Sequence, residues 1–128
     1  MTLQELCDEY CVELCLFDGS GWHSKGFYNP ATNVLCIDVN LPDHERYQVA
    51  LHELGHIKHL PHLYPVFREK YELQSNRNMI HHLLKAELDE CQDKNNFNYL
   101  VFMKKYKLKT MADECMIKEE YFNLINVV

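Results

Sequence analysis

The segment His52-Glu53-Leu54-Gly55-His56 has the residue types and the spacing of an H-E-x-x-H zinc-peptidase motif. An α-helix turns by about 100° per residue, so histidines four positions apart point the same way, one turn from each other. Two imidazoles placed in this way can bind one metal ion, and a glutamate between them can take a proton from a water molecule that the metal activates. The motif therefore predicts His52 and His56 as zinc ligands and Glu53 as the catalytic base.

A zinc peptidase takes three protein ligands and leaves a fourth position open, so one further ligand is needed. His59 falls about 20° from His52 around the helix but roughly 10 Å along its axis. That distance suits a residue beside the ligands better than a ligand. Glu72 is favoured as third ligand, because the connector with Pro61 and Pro65 lets the next helix fold back. The remaining candidates for this position are Glu69 and the pair His81-His82.

Other polar side chains near the motif have candidate supporting roles. Asn76 comes one helical turn after Glu72 and could orient a ligand or hydrogen-bond the site. The residue that stabilises the oxyanion has three candidates, which are Tyr71, His59 and His62. The alternatives without a catalytic function are an ordinary amphipathic helix that carries two histidines, and an exposed Glu72 that pairs with a basic residue.

The elements that must position these residues can be read from apolar spacing and from cap and turn residues. Asn40-Leu41-Pro42-Asp43 is typical of a helix start, and an apolar stripe continues the motif helix over about 43–59. Val34 to Val39 is a β-branched run between turn residues, which predicts a strand paired with a second strand at Trp22 to Tyr28. Further helices are expected at 2–17, 66–90, 99–106 and 110–125. This order predicts an α+β fold, with a small antiparallel hairpin or sheet packed on a mainly helical, zincin-like domain.

Composition narrows the class of protein. The 128 residues suit one domain, 1–128, and the net charge of −6 makes general nucleic-acid binding unlikely. No stretch approaches the roughly 18 apolar residues of a membrane helix. The N-terminus lacks the features of a secretory signal, so a cytoplasmic location without membrane association is expected. The basic run from Lys104 to Lys109 is interpreted as a solvated face, with contact to an acidic partner as the alternative.

The six cysteines form no C-x-x-C pair, so we expect free thiols and no thiolate zinc site. Cys7, Cys11 and Cys15 recur at every fourth residue, which would align them along one face of a helix over 2–17. They are interpreted as small buried hydrophobic residues. A soft-metal or redox stripe is the alternative.

Three segments together resemble the ImmA/IrrE family of metallopeptidases over roughly residues 20–125. They are a hairpin from Gly26-Phe27-Tyr28 to Val34-Leu35-Cys36-Ile37-Asp38, the H-E-L-G-H helix, and Glu72-Leu73-Gln74-Ser75-Asn76 leading to Leu83-Leu84. The resemblance implies zinc bound by His52, His56 and Glu72, with Glu53 as general base. Gln74 stands where many members have a second glutamate, Ser75 replaces a usual alanine, Asn78-Met79 stands where many have Phe-Ala, and Lys85 replaces a frequent proline.

The chain resembles the short branch of that family carried by phages and mobile elements, with a helix-turn-helix-like tail at about 97–126. That likeness implies a cytoplasmic, zinc-dependent endopeptidase in a bacterial host, which cleaves or inactivates the repressor of a phage or mobile element. A zinc-containing anti-repressor that acts by binding alone is the competing hypothesis. A DNA-binding protein that uses the lysines near Lys104 is a third.

Overall fold

The computed structural model describes residues 2–91 and 93–126, and these residues form the predicted α+β fold. Helices dominate, and a three-stranded mixed sheet lies in the first part of the chain. In chain order the elements are α1 Leu3–Glu9, β1 Glu13–Phe17, β2 Gly26–Asn29, β3 Val34–Asp38, α2 Asp43–Leu54, α3 Tyr64–Glu90, α4 Tyr99–Lys105 and α5 Met111–Ile125. Two short 3₁₀ turns occupy Pro61–Leu63 and Lys94–Asn96.

The N-terminal segment differs from the prediction of one helix over 2–17. Thr2 caps α1, since its hydroxyl accepts the backbone N–H of Glu5 at 3.1 Å. The helix ends after Glu9, and Cys11 then adopts a φ of 56°, a left-handed conformation that cannot continue a helix. The chain turns into β1, which pairs in parallel with β3 from Glu13↔Val34 to Phe17↔Asp38. The prediction of a continuous helix is therefore wrong.

The interpretation of three cysteines as one buried stripe fails for the same reason. Cys7 is fully buried in α1, whereas Cys11 and Cys15 are exposed. Cys15 lies in β1 opposite Cys36 of β3. None of the six cysteines, which all lie in the described part of the chain, is paired in a disulfide.

The hairpin predicted before the motif helix is present and belongs to a larger sheet. β2 pairs antiparallel with β3, from Gly26↔Ile37 to Asn29↔Val34. The strand order β1-β3-β2 puts β2 at one edge of the sheet. β2 is shorter than predicted, because pairing begins only at Gly26. Its outward edge carries backbone groups that β3 does not use.

The motif helix α2 packs on β2 and β3 and begins at Asp43 as predicted. Its buried side chains are Ala50, Leu51 and Leu54, which lie in one core with Leu35 and Ile37 of β3. The α-helix ends at Leu54, five residues earlier than expected, and residues 55–58 form turns. The backbone N–H of His56 bonds to the carbonyl of Glu53, which is the tighter 3₁₀ pattern of a final helical turn.

Gly55 marks the end of α2 and lies against α3. A Cβ atom added at Gly55 would come within 2.8 Å of the Cα of Ser75. Only a residue without a side chain allows two backbones to approach so closely. This approach brings the end of the motif helix next to the segment of α3 that carries Glu72.

The chain divides between Ser75 and Asn76 into two compact units. In the second unit α4 packs on α5, and the apolar core consists of Met79, Ile80, Leu83, Leu84, Leu88, Phe102, Leu108, Met116 and Ile117. Thr110 caps α5, as its hydroxyl accepts the N–H of Asp113 at 3.0 Å. Leu73 and Ala86 of α3 are exposed. The assignments of a single domain and of a helix-turn-helix-like tail stay predictions.

None of the helices in the part of the chain that the structure describes has both the length and the apolar content of a membrane span.

Candidate metal centre

Three side chains from α2, its final turn and α3 converge at one point of the first unit. The Nε2 atom of His52 lies 3.1 Å from Oε2 of Glu72, and Nε2 of His56 lies 3.5 Å from Oε1 of the same carboxylate. One ligand atom from each residue lies within 4.8 Å of the others. Two ligands of a tetrahedral zinc ion with bonds of about 2.0–2.1 Å lie about 3.3 Å apart. The arrangement therefore fits a zinc ion.

The electrostatics of the three side chains also suit a cation. Burial lowers the pKa of His56 to about 4, so its imidazole is neutral at pH 7 and has a lone pair to offer. Burial alone would raise the pKa of Glu72, but a hydrogen bond from Tyr64 and the two histidines outweigh it and lower that pKa. At neutral pH the site thus presents a carboxylate beside two imidazoles, which is a donor set that binds zinc.

Glu53 is half-buried and lies between this cluster and the sheet. Its carboxylate accepts a hydrogen bond from the backbone N–H of Tyr28 in β2. Burial raises the pKa of Glu53 and the neighbouring Glu72 raises it further, while His52 and the bond from Tyr28 act in the opposite direction. Glu53 is therefore held at the edge strand, next to the residues of the cluster.

His59 does not join the cluster and instead contacts the back of His56. The two Nδ1 atoms are 2.9 Å apart, and Nε2 of His59 lies 2.7 Å from Oε1 of Gln74. The ring of Tyr71 stacks on the His59 ring at 3.9 Å, almost parallel. The position of His59 behind His56 suits the predicted supporting role, and Tyr71 contacts His59 with its ring face.

Tyr64 is a functional candidate that the sequence analysis missed. Its hydroxyl donates a hydrogen bond of 2.5 Å to Oε1 of Glu72, and its ring lies edge-on to His56. That bond raises the pKa of the Tyr64 hydroxyl and orients the carboxylate. Tyr64 lies in a segment that was interpreted as a connector, and no role was predicted for it. The helix α3 in fact begins at Tyr64, with a kink at Phe67.

The cluster opens into a cleft of about 430 Å³. Its lining includes Gly26, Phe27 and Tyr28 of the edge strand β2, together with Glu53, His56, His59, Leu60, Tyr64 and Glu72. A cleft beside an unpaired strand edge can accept an extended peptide.

The remaining sequence candidates lie elsewhere. His62 and Glu69 are exposed, and neither is among the described residues that line the cleft. His81 pairs with Glu120 at 2.9 Å within the second unit. Asn76 follows Glu72 by one turn of α3 and belongs to the second unit, so its supporting role stays a prediction.

Residues 7–118 match the model of the peptidase M78 family, which is described as the IrrE N-terminal-like domain. The chain belongs to this family. The match covers most of the 128 residues and confirms the resemblance to ImmA/IrrE proteins. No curated protein and no solved structure shows a significant match. The IrrE N-terminal-like domain of this chain is thus of metallopeptidase type, and the His52, His56 and Glu72 cluster lies within the matched residues.

Proposed function

We propose that this chain is a zinc-dependent endopeptidase, with His52, His56 and Glu72 as metal ligands and Glu53 as general base. The observation that carries the proposal is the convergence of three ligand atoms from α2, its final turn and α3 within 4.8 Å, at the wall of an open cleft. Membership of the IrrE N-terminal-like family agrees with this chemistry.

Each residue of the cleft has a defined task in peptide hydrolysis. Bound zinc would act as a Lewis acid on the scissile carbonyl and lower the pKa of a water molecule to about 7. Glu53 removes a proton from the attacking water and returns it to the leaving amine. The backbone N–H of Tyr28 holds the carboxylate of Glu53 in place for both transfers. Tyr64 orients Glu72 through its hydroxyl.

The substrate proposed is an extended polypeptide segment. β2 is an edge strand, and Gly26, Phe27 and Tyr28 line the same cleft as Glu53, His56 and Glu72. A substrate strand can pair with the backbone groups of β2 that β3 leaves unused. The Tyr28 N–H is engaged by Glu53, so pairing would use neighbouring groups of the edge.

We infer that the cleaved protein is a repressor of a phage or mobile element, in the cytoplasm of the bacterial host. This part of the proposal depends on the likeness of the chain to the short ImmA/IrrE proteins.

The test is to incubate the purified chain with candidate repressors, with and without a chelator, and to analyse the products by mass spectrometry. The expected result is a discrete pair of fragments that disappears with chelator and returns when zinc is added back. Magnesium added in place of zinc is the control, because it prefers oxygen ligands and keeps its own waters.

Two outcomes would count against the peptidase. A stable complex without fragments would support an anti-repressor that acts by binding alone. A salt-sensitive mobility shift of operator DNA, without fragments, would support a DNA-binding protein.

A further inference from the structure

Three side chains form a hydrogen-bonded line that ends at the metal centre. Oε1 of Gln74 lies 2.7 Å from Nε2 of His59, and Nδ1 of His59 lies 2.9 Å from Nδ1 of His56. The other nitrogen of His56, Nε2, faces Glu72. The line therefore connects an amide group outside the cluster to one of the proposed ligands.

The amide oxygen of Gln74 determines which ring nitrogens of His59 and His56 carry a hydrogen. A carboxamide oxygen only accepts hydrogen bonds, so Nε2 of His59 must carry the hydrogen. The Nδ1 atom of a neutral His59 is then an acceptor, and Nδ1 of His56 must donate to it. Nε2 of His56 is left with a free lone pair on the side where Glu72 lies.

We propose that His59 and Gln74 are positioning residues that hold His56 in the tautomer whose Nε2 lone pair can bind the metal. The proposal rests on the metal site of the proposed function. The opposite tautomer carries a hydrogen on Nε2, and that hydrogen blocks coordination by this nitrogen. In metal sites the hydrogen bond made by one ring nitrogen decides which nitrogen binds the metal.

Two neighbouring contacts favour this tautomer of His56 over the opposite one. The stack of Tyr71 on His59 fixes the plane of the middle ring. Among the described residues, Oε1 of Glu72 faces Nε2 of His56 at 3.5 Å and would favour a hydrogen there. That oxygen already accepts the short hydrogen bond from Tyr64, which makes it a weaker acceptor for a hydrogen on His56. The Nδ1 contact, at 2.9 Å, has hydrogen-bond length, whereas 3.5 Å exceeds an ordinary N–H···O bond, so the Nδ1 contact is favoured.

The tautomer can be read directly in the metal-free protein by long-range ¹H–¹⁵N correlation spectra of the histidine rings. In the wild type we expect His56 protonated at Nδ1 and His59 protonated at Nε2. Gln74→Met removes the acceptor at similar size, and His59→Phe keeps a ring for Tyr71 but removes both nitrogens. Both variants should shift His56 towards the form protonated at Nε2. Gln74→Glu, whose carboxylate also only accepts, should retain the wild-type pattern.

Zinc affinity, measured by competition with a chromophoric chelator, is the second readout. Gln74→Met and His59→Phe should weaken binding by about 10–100-fold, as expected when the partner of a ligating histidine is lost. Gln74→Glu should bind zinc as the wild type does. His44→Phe is the matched control for the loss of an imidazole, because His44 is exposed on the first turn of α2.

The outcomes separate this proposal from the proposed function. A wild-type His56 protonated at Nε2 would overturn it, and so would a Gln74→Met protein with unchanged tautomer and zinc affinity. Rescue by Gln74→Glu of what Gln74→Met loses supports it, since a purely structural role would not distinguish these variants in this way. A chain that shows this pattern but cleaves no protein supports the positioning role and overturns only the peptidase.

Discussion

Glu53 differs from Glu72, which also lines the cleft, in that it accepts a backbone hydrogen bond from the edge strand. Glu53→Gln keeps the size of the side chain but cannot take a proton. We expect peptide cleavage to fall by roughly 10²–10⁴-fold, which is the usual contribution of a positioned general base. Zinc content should stay near that of the wild type, since Glu53 is not a proposed ligand. Loss of the metal from this variant, measured by atomic emission, would contradict the assignment.

Glu72 and Glu69 are a natural pair for testing the third ligand. They lie about one turn apart on α3, but only Glu72 contacts the histidines, while Glu69 is exposed. Glu72→Gln should weaken zinc binding by more than the roughly 10–100-fold typical of residues that merely support a ligand. Glu69→Gln should leave zinc affinity unchanged. Equal affinities in a chelator competition would rule out Glu72 as a ligand.

Side-chain contacts within the site were predictable only where the chain itself enforces them. The spacing of His52 and His56 required a shared direction, and the fold-back of the next helix suggested Glu72. The sequence did not predict a role for Tyr64, because no neighbouring residue indicates that α3 begins there and kinks at Phe67. Gln74 was noted only as a departure from the family pattern, since its contact with His59 depends on how two elements pack.

At the scale of elements, β1 shows what local periodicity cannot detect. The spacing of Cys7, Cys11 and Cys15 imitates a helix, and Thr2 with Glu5 supplies a correct helix start. The strand exists because β3, about twenty residues later, offers parallel pairing. Such pairing depends on a distant partner, so the pattern of 2–17 alone could not reveal it.

The contact between the end of α2 and α3 is testable at Gly55. Gly55→Ala puts a Cβ 2.8 Å from the Cα of Ser75, and backbone atoms cannot move aside cheaply. We expect a loss of about 1–3 kcal/mol in the free energy of unfolding, as for other overpacked sites. Urea denaturation followed by circular dichroism measures it.

Ser75→Ala is the companion substitution on the opposite side of this contact. The Ser75 hydroxyl is fully buried and has no hydrogen-bond partner among the residues that the structure describes. Removing an unsatisfied buried hydroxyl should therefore leave the free energy of unfolding unchanged or raise it by about 1 kcal/mol. A stabilised Gly55→Ala protein would show that the two backbones are not in tight contact. A strongly destabilised Ser75→Ala protein would show that the buried hydroxyl does make a hydrogen bond.

At the scale of the whole molecule, the free energy of unfolding should fall at acidic pH, in part because Glu120 becomes protonated. Burial alone would raise its pKa, but hydrogen bonds from His81 and Arg77 outweigh burial and hold the pKa below its usual value of 4.5. The folded state therefore favours the ionised form. The corresponding stability is complete above pH 4.5 and is lost as the pH falls through the lower folded value.

Glu120→Gln should lower the free energy of unfolding at neutral pH by about 1.5–3 kcal/mol, the range for hydrogen bonds to charged groups. It should also flatten the loss of stability that sets in as the pH falls below 4.5. Glu119→Gln is the control: Glu119 bonds the same Arg77 but is exposed, so the change should be about 0–1 kcal/mol. The free energy of unfolding of Glu120→Gln and of the wild type is measured by urea denaturation at several pH values. An equal loss in both proteins as the pH falls would refute the role of Glu120.

The class of fold and the family followed from patterns that extend over most of the chain. The β2–β3 hairpin, the start of α2 at Asp43 and the two C-terminal helices lie where turn and cap residues predicted them. The early end of α2 did not follow from its sequence. Its apolar stripe continues to Ile57, and the change to a 3₁₀ turn comes at Gly55, where α3 comes close.

The four exposed thiols, Cys11, Cys15, Cys91 and Cys115, bear on how this protein must be handled at the bench. Thiolates are good zinc ligands in their own right, and air oxidation joins exposed cysteines of different molecules. Untreated preparations should therefore contain disulfide-linked dimers and excess, loosely held zinc. After alkylation of the accessible thiols, the same preparation should be monomeric on reducing-agent-free gels and retain a single ion per chain.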